Sequence, residues 1–251
     1  MAEISYLDGP RGDRLAYVLT PGRGPCIVFL SGYRSDMEGT KAVHLEAWAK
    51  AQGRAFLRLD YSGHGASGGV FEEGCIGDWA ADAEAVIRAA APGPVVLVGS
   101  SMGGWIACLL SQRLAAVAGF VGIAAAPDFT EDGFWAGFDE TQRRAVMEQG
   151  RVELPSAYED PYYVSRKLIE DGRAHLVLRR PLPMPWPVRL LQGTEDEAVT
   201  RQTALALLDH VEGDDVRLTL VKGADHRFSS DDCLALIEQA ITEVLGENPG
   251  R

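Results

Sequence analysis

Gly99-Ser100-Ser101-Met102-Gly103 sets a serine between two glycines, after the β-branched run Val95-Val96-Leu97-Val98 and before the apolar run Trp105-Ile106-Ala107. The pattern G-x-S-x-G at a strand-to-helix junction builds a sharp, strained turn in which side chains two positions from the serine would collide with neighbouring backbone. Gly99 and Gly103 remove those side chains, so the turn lifts the Ser101 hydroxyl clear of the sheet. A serine hydroxyl is a weak nucleophile at neutral pH. It needs an imidazole to take its proton and a carboxylate to fix the imidazole's tautomer and stabilise its cation.

On a turn of this kind the partners follow in the order serine, acid, histidine. Of the five histidines, His44 and His64 precede the turn, His175 lies in an interval without sheet strands, and His210 ends a predicted helix. His226 follows the run Arg217-Leu218-Thr219-Leu220-Val221 in the loop Gly223-Ala224-Asp225-His226-Arg227, at the carboxyl edge where open α/β sheets bind ligands. It is the expected base. For the acid, Leu190-Leu191-Gln192-Gly193-Thr194-Glu195-Asp196-Glu197 leaves a strand and enters a tight turn, which selects Asp196. Glu195 and Glu197 read as solvated or helix-start carboxylates. Asp225 adjoins His226 and should point away, because a carboxylate must reach Nδ1 while Nε2 faces the serine.

Negative charge developing on an acyl oxygen calls for preorganised N–H donors. The expected pair is the backbone N–H of Met102, just after the nucleophile, and that of Tyr33 in the loop Ser31-Gly32-Tyr33-Arg34-Ser35. Gly32 permits the close backbone approach.

The elements that must position these groups alternate between short apolar runs and amphipathic stretches of helical length, the signature of an α/β fold with a mostly parallel sheet flanked by helices. Eight strands are expected at 3–7, 15–20, 26–30, 54–59, 95–98, 119–123, 188–191 and 216–221, the first two as an antiparallel hairpin at the sheet edge. Helices are expected at 41–51, 76–90, 102–114, 200–210 and 231–245. About sixty residues between Pro127 and Pro187 lack a clear sheet strand, far beyond an ordinary connection, so residues of about 128–186 form a helical cap inserted into a single domain spanning 1–251. The cap carries Phe129, Phe134, Trp135, Phe138, Tyr158, Tyr162 and Tyr163, which either line an acyl pocket or dock the lid on the body. Pro181-Leu182-Pro183-Met184-Pro185-Trp186-Pro187 is an extended return to the sheet.

Composition narrows the rest. With 46% hydrophobic residues the 251-residue chain can bury a large core, and 24 Lys+Arg against 36 Asp+Glu give a formal net charge of -12, which argues against nucleic acid and anionic membrane surfaces. The first residues show no signal peptide, and no run approaches the roughly 18 apolar residues of a membrane span, so a soluble cytoplasmic protein is expected. Cys26, Cys75, Cys108 and Cys233 have neither C-x-x-C spacing nor a histidine at ligand distance, so they read as reduced, structural and not metal-binding. Asp60-Tyr61-Ser62-Gly63-His64-Gly65-Ala66-Ser67-Gly68-Gly69 lacks the spacing of a phosphate loop and reads as tight turns, as does Arg11-Gly12-Asp13.

Taken together, Gly99-Ser100-Ser101-Met102-Gly103-Gly104-Trp105, Leu30-Ser31-Gly32-Tyr33-Arg34-Ser35-Asp36-Met37-Glu38-Gly39-Thr40-Lys41-Ala42, Asp60-Tyr61-Ser62-Gly63 and Asp225-His226-Arg227 resemble the abhydrolase-domain family of α/β-hydrolases. The resemblance is to its mitochondrial palmitoyl-protein thioesterase branch, also described as acyl-glucuronide esterases. It implies the α/β-hydrolase fold, with Ser101 as nucleophile, Asp196 as acid and His226 as base, and no cofactor. The cap matches less well than the body, and caps set substrate choice. The expected activity is hydrolysis of acyl thioesters or esters on a small molecule or an acylated protein. The alternatives are a carboxylesterase for small esters or acyl glucuronides, a lid-bearing peptidase, and a non-catalytic binding protein on the same scaffold.

Overall fold

In the computed structural model, which describes residues 3–154 and 162–246, eight strands form one sheet. They are β1 (Ser5–Asp8), β2 (Arg14–Thr20), β3 (Arg23–Leu30), β4 (Arg54–Leu59), β5 (Val95–Ser100), β6 (Val117–Ile123), β10 (Val188–Gly193) and β12 (Val216–Val221), in the order β1-β2-β4-β3-β5-β6-β10-β12. β1 and β2 are an antiparallel hairpin and β2 runs antiparallel to β4; every later pairing is parallel. This is the sheet the sequence predicts, and its central strands are buried from end to end because helices cover both faces.

The period-two geometry of a strand splits one apolar run between two cores. Val28 and Leu97 point to the face covered by α2 (Ile76–Ala90) and α3 (Met102–Ser111), where Trp79 and Trp105 are fully buried. Their neighbours Ile27, Val96 and Val98 point to the opposite face, under α1 (Thr40–Ala51) and α7 (Asp231–Val244). α6 (Arg201–His210) packs over β10 and β12. Side-chain oxygens cap four helices, with Asp139, Ser165, Thr200 and Ser230 accepting from Gln142, Leu168, Thr203 and Cys233 N–H. All four cysteines are buried free thiols, and burial pushes Cys26 and Cys75 up to about 12, so both stay protonated at neutral pH.

Between β6 and β10 the chain leaves the sheet. It forms a π-helical turn (Thr130–Trp135), α4 (Glu140–Gln149), the antiparallel pair β7 (Arg151–Leu154) and β8 (Tyr162–Ser165), and α5 (Arg166–Ala174). The cap is therefore not wholly helical as expected. Leu182–Pro183 (β9) pairs in parallel with Val211–Glu212 (β11), so the proline-rich return is extended.

The cap aromatics meet rings of the body. Phe129 packs edge-on against Trp105 and Tyr33, Phe134 against Phe129 and Tyr33, and Phe138 stacks on Phe134, with centroids between 5.3 and 6.2 Å apart. Trp135 lies under Arg173 at 4.5 Å and Tyr163 under Arg151 at 4.1 Å. Phe129 and Phe134 thus dock the cap on the body, whereas Phe138, Trp135 and Tyr163 pack within the cap. Tyr158 and the Tyr162 side chain lie outside the described residues.

A polar tie joins α5 to the start of α2. Asp171 Oδ2 accepts from Gly77 N–H at 2.8 Å, His175 Nδ1 lies 3.4 Å from the same oxygen, and Lys167 Nζ donates to Asp78 Oδ2 at 2.6 Å. Hydrogen bonding to Asp171 raises His175 above the ordinary histidine value. Burial alone would raise Asp171, but His175 and the Gly77 N–H hold it below the usual carboxylate range. The histidine's contribution is complete below its unfolded value of about 6.5 and fades as pH rises through its raised value; the aspartate's is complete above about 4 and fades as pH falls. His175→Gln should therefore lower Tm more at pH 5.5 than at pH 8.5; equal losses at both pH values would show that the charged pair is not what holds the cap.

Candidate active site

β5 enters the turn with its ladder to β6 intact, and Ser101 then adopts φ 54° and ψ -119°, a left-handed backbone that a non-glycine residue occupies only at a cost. Three backbone bonds hold it there: Ser101 N–H to Ile123 O at 2.9 Å, and Gly104 and Ala126 N–H to Ser101 O at 2.9 and 3.0 Å. The flanking glycines are required sterically. A Cβ on Gly99 would lie 2.3 Å from Gly103 O, and one on Gly103 2.0 Å from Leu30 O.

The three residues singled out for nucleophile, base and acid converge from three strand ends. Ser101 Oγ lies 3.1 Å from His226 Nε2, and His226 Nδ1 lies 2.8 Å from Asp196 Oδ2. The Asp196 side chain is fully buried, which alone would raise its pKa. Its hydrogen bonds from His226, the Val199 N–H and the Gln192 amide outweigh that and hold it below the usual range, so it is an anion at neutral pH. With Oδ2 facing Nδ1, the ring proton belongs on Nδ1 and Nε2 is left to accept from Ser101. Asp225 turns away, as expected, and accepts from Phe228 N–H at 3.2 Å.

The Tyr33 loop passes against the nucleophile, since a Cβ on Gly32 would sit 3.3 Å from Ser101 Cβ. Asp60 braces this loop by accepting from Met37 N–H at 2.7 Å and Ala66 N–H at 2.8 Å, and Tyr61 donates to Ser31 O at 3.2 Å. The glycine-rich segment after β4 thus folds as tight turns under the site, with Gly63 and Gly65 at positive φ. The Tyr33 ring is enclosed by Phe71, Trp79, Phe129 and Phe134.

A cavity of about 320 Å³ opens onto Ser101 and His226. Phe29, Tyr33 and Ala42 supply part of its wall; the rest is polar, with Ser35, Thr40 and Ser229 beside two cations, Lys41 and Arg227, and one carboxylate, Asp36. Lys41 Nζ donates to the carbonyl of Arg227, tying α1 to the loop that carries His226, and its burial lowers the ammonium pKa. Sequence reasoning did not single out Lys41 or Arg227. The Lys41 side chain and the Arg227 carbonyl meet only through the fold, 186 positions apart.

Residues 27–240 match the alpha/beta hydrolase family. The chain belongs to that family. This alpha/beta hydrolase is 37% identical over 248 residues to the mitochondrial palmitoyl-protein thioesterase ABHD10 of Bos taurus, covering 96% of this chain and 80% of that protein. Against its Homo sapiens counterpart the identity is 36% over 247 residues, again covering 96% and 80%. The solved structure of mouse alpha/beta hydrolase domain-containing protein 10 superposes with a TM-score of 0.90 at 34% identity, covering 98% of this chain and 99% of that one. The activity is that of a serine hydrolase. The curated relatives are named mitochondrial, which fits poorly with the cytoplasmic location expected from the sequence. Among the described residues of this alpha/beta hydrolase, no helix is long and apolar enough to cross a membrane.

Proposed function

We propose that this serine hydrolase cleaves acyl thioesters or esters, on a small molecule or an acylated protein, through an acyl-enzyme on Ser101. The observation that carries this reading is the unbroken relay from Ser101 Oγ to His226 to buried Asp196 at a strained turn. His226 Nε2 takes the hydroxyl proton as Oγ attacks the acyl carbonyl, and Asp196 stabilises the imidazolium. The Met102 and Tyr33 N–H groups receive the oxyanion. His226 then gives its proton to the departing thiolate or alkoxide, and a water molecule activated by the same imidazole releases the acid and restores Ser101. The thioester preference is supported by relatives named palmitoyl-protein thioesterase.

A second reading, hydrolysis of small esters or acyl glucuronides, is favoured by the cavity itself: Lys41 and Arg227 suit a polar or anionic leaving group better than a long alkyl chain. The test is kcat/KM side by side for a long-chain acyl-cysteine peptide, a short-chain aryl ester and an acyl glucuronide, with Ser101→Ala as the blank. The long thioester should lead by at least tenfold. A lead for either of the others transfers the assignment to the second reading, and turnover of none of them would favour a binding protein on a hydrolase scaffold.

A further inference from the structure

β10 is apolar through Leu190 and Leu191 and then places a primary amide, Gln192, at 1% exposure. Its Nε2 faces three oxygens: Asp196 Oδ2 at 3.0 Å, Val199 O at 3.0 Å and Gly193 O at 3.2 Å. Its Oε1 is buried without a partner among the described residues. Three acceptors around one end of the amide fix which way it points. An unpaired buried oxygen is unfavourable, and an apolar side chain of the same length would avoid it. What the position needs is therefore the nitrogen.

Two of the nitrogen's partners belong to the loop that carries the acid. Asp196 Oδ1 accepts from Ala198 and Val199 N–H at 2.9 and 2.8 Å, which closes that loop on itself. Gln192 grips it from below, at the carboxylate and at the Val199 carbonyl. Oδ2 consequently receives two N–H groups, one from Gln192 and one from His226.

We propose that Gln192 is a positioning residue for hydrolysis, acting through Asp196 on His226 without touching substrate; this rests on the roles given above to those two residues. The amide keeps Oδ2 aimed at Nδ1 and draws off part of the carboxylate's charge. Its loss lets the carboxylate swing away from the ring, so that the imidazolium formed on His226 is less well stabilised and less well aimed at Ser101.

The test is kcat and KM, measured separately, for the full chain carrying Gln192→Met, whose side chain has similar length and no donor, beside wild type, Ser101→Ala and Asp196→Asn. With the loop free to shift, kcat should fall about 10- to 100-fold while KM moves far less. A rise in KM as large as the fall in kcat, or an unchanged rate, overturns the proposal. Gln192→Leu carries the same test if the methionine variant does not fold; failure of both to fold would assign Gln192 to stability and also overturn it. Turnover retained by Ser101→Ala or Asp196→Asn would instead remove the relay itself.

Discussion

Ser101→Ala should lose about 10⁴- to 10⁶-fold in kcat on any ester or thioester the wild-type chain turns over, and should no longer be labelled by a fluorophosphonate. The loss should come without a loss of fold. Ser101 Oγ contacts His226 Nε2 at 3.1 Å in a part-buried setting, a neutral hydrogen bond contributing about 1 kcal/mol at most. The strained backbone at φ 54° is held by bonds through Ile123, Gly104 and Ala126, which alanine keeps. A variant with the wild-type Tm and no turnover separates chemistry from stability. Asp196→Asn should lose less, about 10⁴-fold, because Ser101 and the N–H donors remain while the amide favours the wrong imidazole tautomer. Should Ser101→Ala retain more than a hundredth of the wild-type rate, the nucleophile lies elsewhere.

The sites most legible in the sequence are those where local sterics leave one solution. Glycines two residues either side of Ser101 announce a turn that no other residue type permits, and the structure puts backbone where their side chains would be. The strands are legible because burial on both faces demands continuous apolar runs, as in Val95–Ser100. Its last two residues, Gly99 and Ser100, have weak strand propensity and were not expected to extend it; pairing with Gly122 and Ile123 carries the ladder through them. His226 emerges because its strand delivers it to the correct sheet edge.

Features that depend on partners distant in sequence are not legible in this way. β7 reads Arg-Val-Glu-Leu, too short and too charged to register as a strand alone, and it forms by pairing with β8. The cap rings permit two roles until Tyr33 and Trp105 arrive from elsewhere in the chain to pack against them. Gln192 did leave a signal, a polar residue closing an apolar strand four positions before the acid, but its meaning depends on which oxygens surround the nitrogen.

Gly103→Ala should cripple the enzyme by a different route, through geometry with every reacting group still present. Its Cβ would lie 2.0 Å from Leu30 O, 2.6 Å from Leu30 C and 2.7 Å from Ser31 O, all backbone atoms that cannot rotate aside. Relief requires the first turn of α3 to move away from the end of β3. That shift parts the two segments carrying the Met102 and Tyr33 N–H groups, the proposed oxyanion pair. Misplacing one such donor costs about 10²- to 10³-fold in kcat, and overpacking of this kind costs about 1–3 kcal/mol of stability. At neighbouring Gly104 the nearest obstacle to a Cβ is a side chain, the Ala125 methyl at 2.5 Å. Adding Ala125→Gly should therefore recover part of the loss caused by Gly104→Ala, whereas no side-chain substitution removes a backbone carbonyl from the path of Gly103→Ala. Steady-state kcat and urea midpoints for the three variants decide the matter. If Gly103→Ala keeps kcat within threefold of wild type, the contact between α3 and the end of β3 does not set the geometry of the site.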